Sequence, residues 1–279
     1  MCGIVGYFGN NTIKFSDESK LNLISHRGPD HQSYVQGLNY FLGHTRLSIQ
    51  DLSETANQPM FSENKSYVLI FNGEIYNHNE LRKKLLLNID FKTTGDTETL
   101  LYGLINFGTD FIKKINGIFA FAFLNIKTGD MILSKDHFGV KPLYYHLNDN
   151  EIYFSSELKA ICSYNKENLS IDMSALKNYI NFLWSPGEKT PFKEFKKLLP
   201  GSYISGNIND IKNLKTTSFY SVPFRGEYFN SLSEDALILK LETHLLKAIE
   251  RQMLSDVPIG FFLSGGLDSS ILVAMARKV

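Results

Sequence analysis

Apolar residues in the first half of the chain fall in short runs, each closed by Gly, Asn or Asp. Residues 4–8, 67–71, 118–126, 131–134, 143–147 and 152–154 are rich in β-branched and aromatic side chains and predict strands. Lys127-Thr128-Gly129-Asp130 and Asn148-Asp149-Asn150 predict hairpin turns. Elsewhere the apolar period lengthens. Residues 79–87 set Leu81 and Leu85 against a basic outer face, and 97–107 gather Leu100, Leu101, Leu104 and Ile105 on one side, so both predict helices. Residues 157–162 and 173–183 are further helical segments. Antiparallel strands with helices grouped around them, rather than strict strand–helix alternation, predict a layered α+β domain.

Beyond Pro200-Gly201 the pattern predicts one more hairpin, with strands over 202–205 and 216–222. Residues 222–232 are polar and Gly-containing and predict a linker. Ser233 then caps a helix predicted over 234–254, whose apolar positions are Leu237, Leu241, Leu245, Ala248, Ile249 and Met253. A strand over 258–263, a Gly-rich loop and a helix from Asp268 open an α/β unit. The predicted division is a domain over 1–221, a linker over 222–232, and an incomplete second domain over 233–279.

Composition narrows the function classes. The chain has 279 residues, 43% of them hydrophobic, enough for a sizeable core. The 29 basic and 29 acidic residues balance, which argues against a broad nucleic-acid surface. The longest mainly apolar stretch, 117–126, falls short of the about 20 residues a membrane helix needs. The start, Met1-Cys2-Gly3-Ile4-Val5-Gly6, lacks a charged leader and is broken by glycines, so it does not read as a signal peptide. Two cysteines, Cys2 and Cys162, cannot form a disulfide framework, and a reducing cytoplasm is expected.

Cys2 is the first candidate for chemistry. Removal of Met1 would leave it with a thiol and a free α-amine, whose ordinary pKa values of about 8.5 and about 7.7–8.0 lie close together. The amine could then serve as the thiol's base without a histidine. The seven histidines are scattered, and none forms a metal-binding pair of the His-Glu-x-x-His kind. Four further stretches accompany Cys2: His26-Arg27-Gly28-Pro29-Asp30, Gly43-His44-Thr45-Arg46-Leu47-Ser48-Ile49 with its arginine at the start of a strand, Asn72-Gly73-Glu74-Ile75-Tyr76-Asn77 after the buried strand ending at Phe71, and Gly95-Asp96-Thr97-Glu98 opening a helix. Alone, Asn-Gly reads as a turn and Gly-Asp-Thr-Glu as a helix cap.

Together, in this order and spacing, these stretches resemble the glutamine amidotransferase domain that uses an N-terminal cysteine nucleophile, of the Ntn-hydrolase type. The likeness runs from Cys2 to about residue 160 and includes Lys141-Pro142-Leu143-Tyr144-Tyr145 and Ser156-Glu157-Leu158-Lys159-Ala160. Within that class the chain is similar to the glutamine-hydrolysing asparagine synthetases of bacterial type. The resemblance implies a layered α+β sandwich followed by the start of an α/β ATP-pyrophosphatase domain. It implies that Cys2 attacks the glutamine side-chain amide, and that Asn72 and the Gly73 N–H form the oxyanion hole. Arg46 would pair with the substrate α-carboxylate and Asp96 would hold its α-ammonium, with Glu74 nearby. Leu47, Ser48, Ile49 and Gln50 would complete the glutamine site, and the turn from Arg27 to Asp30 would belong to a loop closing over it.

A second motif, Ser264-Gly265-Gly266-Leu267-Asp268-Ser269-Ser270, lies between a predicted strand and helix. It reads either as a Gly-Gly turn with a helix cap or as a phosphate cradle in which backbone N–H groups, hydroxyls and a helix N-terminus meet an anion. It is neither a Walker A loop nor a dinucleotide fingerprint. It resembles the pyrophosphate loop of ATP pyrophosphatases. That likeness implies ATP contacts from Phe262, Leu263, Ser264, Gly265, Gly266, Asp268 and Ser269, with Asp268 helping to bind Mg2+. Two departures stand out: Phe261-Phe262, where relatives often carry smaller aliphatics, and Lys135 before Asp136, where an arginine is common.

Ammonia from the first site and ATP activation at the second support an amidating synthetase, and the resemblance to asparagine synthetases implies one using glutamine, aspartate and ATP to form asparagine and releasing AMP and pyrophosphate. A relative amidating another carboxylate, such as a sugar acid of a surface polysaccharide, would share every residue named so far. A chain acting only as a glutaminase, with glutamine hydrolysis surviving and amidation lost, is the further alternative. Relatives are often dimers, so a homodimer is the assembly the resemblance allows.

Overall fold

The computed structural model of the chain describes residues 1–9, 18–164, 169–223 and 232–279. Most of the predicted linker therefore lies outside the described residues. The chain divides into two compact units, Met1–Ser48 with Ser53–Ser221, and Ile49–Leu52 with Val222–Val279.

Among the described residues, the first unit has twelve strands in two antiparallel sheets. One sheet has the order β10 (Lys196–Lys197), β8 (Tyr144–Leu147), β9 (Glu151–Ser155), β1 (Gly3–Gly9), β3 (Tyr40–Arg46), β2 (His31–Gln36). The other runs β12 (Lys215–Ser218), β11 (Ser202–Asn207), β7 (Asp130–Lys135), β6 (Gly117–Asn125), β5 (Tyr67–Ile75), β4 (Met60–Phe61). Helices α1 (Ser19–Asn22), α2 (His78–Leu85), α3 (Asp96–Phe107), α4 (Leu158–Cys162) and α5 (Met173–Phe182) connect them.

Side-chain alternation explains why the strands read as unbroken apolar runs. On β1, Ile4 and Phe8 face the second sheet, where they join Leu42, Val68, Ile70, Ala122 and Leu133 in a core between the sheets. Val5 and Tyr7 face the other way, against Leu21, Ile24, Ala160 and Ile161 of α1, α4 and their surroundings. On β5, Val68 and Ile70 point inward while Leu69 and Phe71 pack with Leu81, Leu100, Leu101 and Leu104 of α2 and α3. Both faces of each central strand are covered, giving four layers, α-β-β-α. Full burial of a Leu- or Phe-sized side chain contributes roughly 1.5–3 kcal/mol, so these three clusters hold the layers together.

Several boundaries differ from the sequence pattern. The strand predicted to end at Phe71 continues to Ile75, because β6 supplies a partner for each added residue: Asn72↔Ala120, Gly73↔Phe119, Glu74↔Ile118. Asn-Gly is therefore strand interior and not a turn. Arg46 closes β3 instead of starting a strand, since the β1 and β2 pairings run up to it. β2, β4 and β10 were not signalled by the apolar pattern; β2 alternates half-buried and exposed residues along a sheet edge. β12 stops at Ser218.

In the second unit, Ser233 Oγ accepts the Ala236 N–H at 3.4 Å and caps α6 (Glu234–Gln252). α6 packs with α7 (Leu267–Ala276). The strand predicted over 258–263 does not form: among the described residues no strand is available to complete its ladder. Asp256 ties this unit to its short outlying segment, donating its N–H to the Ile49 carbonyl at 2.9 Å and accepting the Asp51 N–H at 2.6 Å. Of the apolar stripe on α6, only Ile249 is buried.

One buried carboxylate organises the turn after β7. Asp136 is 1% exposed, and its side chain accepts the N–H groups of Phe119, Phe138, Val140 and Lys141 at 3.0–3.2 Å. Replacing it with alanine leaves buried donors unsatisfied and should destabilise the fold by about 3 kcal/mol. Urea unfolding of Asp136→Ala checks this, and a loss below about 1 kcal/mol would contradict it.

Candidate active site

β1 and β3 are paired antiparallel with Gly3 opposite Thr45. That register brings Cys2, at the head of β1, beside the residues that leave β3. The Leu47 N–H donates to Cys2 Sγ at 3.4 Å, and Sγ lies 3.6 Å from the Leu47 carbonyl it can donate to. The thiol is half-buried. Burial pushes its pKa up, opposed by the hydrogen bond with the Leu47 backbone and by the N-terminal charge, while the carboxylates of Glu74 and Asp96 add smaller upward effects. A thiol held neutral in this way needs a base to become a nucleophile.

Arg46 is 5% exposed, and its guanidinium donates to the Ser53 carbonyl at 2.8 Å and to Asn57 Oδ1 at 2.7 Å. These contacts fix the planar fork on one side. Asp30 accepts the Ser48 N–H at 2.7 Å, which holds the Arg27–Asp30 turn against the exit of β3. Arg27 donates to the Cys2 carbonyl at 3.0 Å and pairs with Glu157 at 3.1 Å.

Asn72 comes from the second sheet. It is fully buried, and neither its Nδ2 nor its Oδ1 has a hydrogen-bond partner. An unpartnered buried amide is costly, which makes Asn72 a candidate for contact with a polar ligand. Alternation along β5 places the main-chain groups of Phe71, Gly73 and Ile75 on the edge away from β6. Gly73 has no room for a side chain: a Cβ there would meet the Ile118 carbonyl oxygen at 2.2 Å. Asp96, the first residue of α3, is buried and accepts the Ile75 N–H at 2.7 Å. Burial raises the Asp96 pKa well above the carboxylate range, and the neighbouring Glu74 charge raises it further.

Lys141 belongs to this site electrostatically, although its sequence motif offered no role for it. It is 7% exposed, and its charge interacts with Glu74, Cys2, Arg27 and Asp136. Burial lowers its pKa, with Glu74 and Cys2 working against the fall. Nothing in the sequence pattern alone could show that the Asp136 turn would bury this lysine within electrostatic reach of Cys2.

Cys2, Arg46, Leu47, Ser48, Asn72, Gly73, Glu74 and Asp96 thus belong to one unit. Ile49 and Gln50 group with the other. There, Phe262, Leu263, Ser264, Gly265, Gly266, Asp268 and Ser269 form an exposed loop running into α7. Gly265 has φ +81°, with no atom within 4 Å of a built Cβ, so backbone can approach an anion there. Ser264 Oγ and Ser269 Oγ are 3.0 Å apart, and Ser269 also donates to the Gly266 carbonyl at 3.1 Å. Among the described residues no group of three or more His, Cys, Asp or Glu side chains could hold a metal. No helix of the described residues is long and apolar enough to cross a membrane.

A two-sheet α-β-β-α sandwich with a cysteine at the head of a central strand is the fold of the Ntn-hydrolase type. The same fold occurs in the Bacillus subtilis glutamine phosphoribosylpyrophosphate amidotransferase complexed with ADP and GMP, at TM-score 0.55 and 18% identity, covering 100% of this chain and 64% of that one. Residues 1–220 match the glutamine amidotransferase domain, and residues 240–279 match asparagine synthase. The chain belongs to the glutamine amidotransferase domain family. Bacillus subtilis asparagine synthetase [glutamine-hydrolyzing] 1 is 34% identical over 285 residues, covering 100% of this chain and 44% of that protein. Asparagine synthetase [glutamine-hydrolyzing] 3 of the same organism is 34% identical over 291 residues, covering 99% and 45%. The chain therefore spans less than half the length of these relatives.

The raised thiol pKa has a direct readout. With Met1 in place, alkylation of Cys2 by iodoacetamide, followed by peptide mapping, should titrate above the ordinary thiol value. A midpoint below about 8.5 would contradict the burial argument.

Proposed function

We propose that residues 1–221 form a glutaminase domain in which Cys2 hydrolyses the side-chain amide of glutamine, and that 233–279, after a 222–232 linker, begin an ATP-using synthetase domain that spends the ammonia on aspartate. The observation that carries the first half is the Cys2 thiol held beside Leu47 together with the buried, unpartnered Asn72 amide. The second half rests on the asparagine synthase match and the names of the relatives.

In this reading Met1 is removed and the α-amine of Cys2 becomes the base. The amine takes the thiol proton as Sγ bonds to the amide carbon of glutamine. Negative charge moves to the amide oxygen, where Asn72 Nδ2 and the Gly73 N–H donate to it. The C–N bond breaks, the amine returns its proton to the leaving nitrogen, and ammonia departs, leaving a thioester. Water then adds with its proton going to the amine, the C–S bond breaks, and glutamate leaves as the thiol is restored. Arg46 grips the α-carboxylate, and Asp96 with Glu74 grips the α-ammonium. Leu47 and Ser48 border the substrate. Both cysteines are free thiols, consistent with a reducing compartment.

At the second site the aspartate β-carboxylate would attack the α-phosphorus of ATP, release pyrophosphate, and lose AMP to incoming ammonia. Ser264, Gly265, Gly266 and Ser269 suit the pyrophosphate, at the N-terminus of a ten-residue helix. Asp268, in the first turn of that helix, offers one carboxylate. Mg2+ is commonly held by one or two carboxylates plus substrate phosphates, so this donor set fits. When bound, the ion would neutralise phosphate charge.

Cys2→Ala should abolish glutamate formation from glutamine by the chain, and intact-mass measurement should show loss of Met1. Retained hydrolysis in Cys2→Ala, or full activity with Met1 still attached, would overturn the mechanism. A pH dependence follows from Asp96. Its pKa is raised in the empty site, so below that value it is neutral. The substrate ammonium needs it ionised, so KM for glutamine should rise as pH falls, by up to about tenfold per pH unit. Steady-state hydrolysis across pH 6–9, compared with Asp96→Asn, measures this; a KM that falls on acidification would refute the role.

A further inference from the structure

β5 is paired with β4 only at Val68 and Leu69. From Ile70 onward its outer edge has no neighbouring strand among the described residues, yet this is the stretch that carries Asn72 and Gly73. The edge is instead occupied by side chains. Gln58 Oε1 accepts the Phe71 N–H at 2.6 Å, and His44 Nε2 lies 3.1 Å from the Phe71 carbonyl oxygen. Two residues beyond Gly73, Asp96 accepts the Ile75 N–H at 2.7 Å. Main-chain groups of residues 71, 73 and 75 share this edge by alternation. The N–H groups on either side of Gly73 are therefore each taken by a side chain, and the Gly73 N–H lies between them.

Resting on the reading of Asn72 and Gly73 as the oxyanion hole, we infer that His44 and Gln58 are positioning residues that clamp the peptide of Phe71 and so aim the donors of Asn72 and Gly73 at the reacting oxygen.

The chemistry of each residue suits the task. His44 is fully buried on β3, on the inner face shared with Leu42, so it reaches across the sandwich to β5. Only an Nε2–H can serve a carbonyl acceptor, which fixes the tautomer, and Nδ1 has no partner. Burial depresses the His44 pKa to about 3, helped by the charges of Arg46 and His31 and opposed by the Phe71 carbonyl, so the ring stays neutral through the working range. A charged ring 3.1 Å from the oxyanion strand would disturb the very potential that the hole must provide; a neutral one does not. Gln58 is 5% exposed and uses both ends of its amide: Oε1 takes Phe71, and Nε2 reaches Thr97 Oγ1 at 3.4 Å, next to Asp96. The clamp thereby joins the strand of the hole to the start of α3, where the substrate ammonium would sit. A backbone shift of about 1 Å at a catalytic donor can cost on the order of a hundredfold in rate, so small losses of support become visible in kcat.

The test compares His44→Leu and Gln58→Leu, which remove the clamp, with His44→Gln and Gln58→Glu, which keep a donor or an acceptor at similar reach. Glutamine hydrolysis, iodoacetamide alkylation of Cys2 and amide hydrogen exchange over residues 70–76 are measured on each. The leucine variants should lose about tenfold to hundredfold in kcat, with KM changed less than about twofold, and should exchange faster over 70–76. Alkylation, which forms no oxyanion, should stay at the parent rate. The conservative variants should recover kcat and exchange protection. Leucine variants with parental kcat, or exchange unchanged over 70–76, would overturn the inference, as would a loss that the conservative pair does not repair. If the leucine variants fail to fold, His44→Asn, too short to reach Phe71, replaces His44→Leu against His44→Gln. Hydrolysis that survives Cys2→Ala would instead strike the glutaminase reading itself, and the exchange measurement still decides the clamp.

Discussion

The pairing of β5 with β6 through Asn72, Gly73 and Glu74 is the constraint from which the rest of the site follows. A polar tripeptide lies on β5 beyond its pairing with β4, where each main-chain group must find a partner. On one side β6 supplies it. On the other, β4 is too short, and Gln58, His44 and Asp96 reach in from three separate parts of the chain. Gly73 is required because the β6 backbone at Ile118 and Phe119 approaches so closely that a Cβ would have no place. The strand therefore carries a rigid main chain and an Asn72 amide that the protein leaves without a partner, which is the arrangement a preorganised oxyanion site needs.

Both sheets contribute, and their packing sets the geometry. β1 is central in its sheet, between β9 and β3, so Cys2 is carried on a strand braced along both edges. The core between the sheets, from Ile4 and Phe8 across to Val68, Ile70 and Ala122, fixes the gap over which the Cys2 side and the Asn72 side must meet. Interiors of this density do not deform continuously, so residues on opposite walls stay registered without needing a hinge.

The layered α+β class was legible in the apolar runs, because strands buried on both faces write themselves as unbroken hydrophobic segments. The position of Asn72 was legible only as a motif. Local chemistry reads Asn-Gly as a turn, and the long-range partner at Ala120 overrode it. Arg46 was misplaced by a strand length for the same reason: pairing with β1 and β2, which are distant in sequence, decides where β3 lies. The strand expected at 258–263 failed in the opposite direction, with a good pattern and no ladder to join. Lys141 and the clamp residues His44 and Gln58 carry no local signature of their task, since a buried lysine, histidine or glutamine takes its meaning from what the tertiary fold sets within reach.

The electrostatics of the site connect its substrate to its chemistry. Glu74 and Asp96 lie close enough to oppose one another's charge, and both raise the Cys2 pKa as well. Burial in the empty site favours the neutral forms of Cys2 and Asp96. In the proposed reading, an amino acid entering as a zwitterion would bring a cation to the two carboxylates and an anion to Arg46, and add no net charge. Its ammonium would relieve the repulsion between Asp96 and Glu74, and the same neutralisation would remove part of the penalty on forming a thiolate at Cys2. The groups proposed to select the substrate by its α-substituents would then also make the nucleophile easier to form. A balance of 29 basic and 29 acidic residues across the chain suits this proposal, in which recognition would rest on a few desolvated charges at short range.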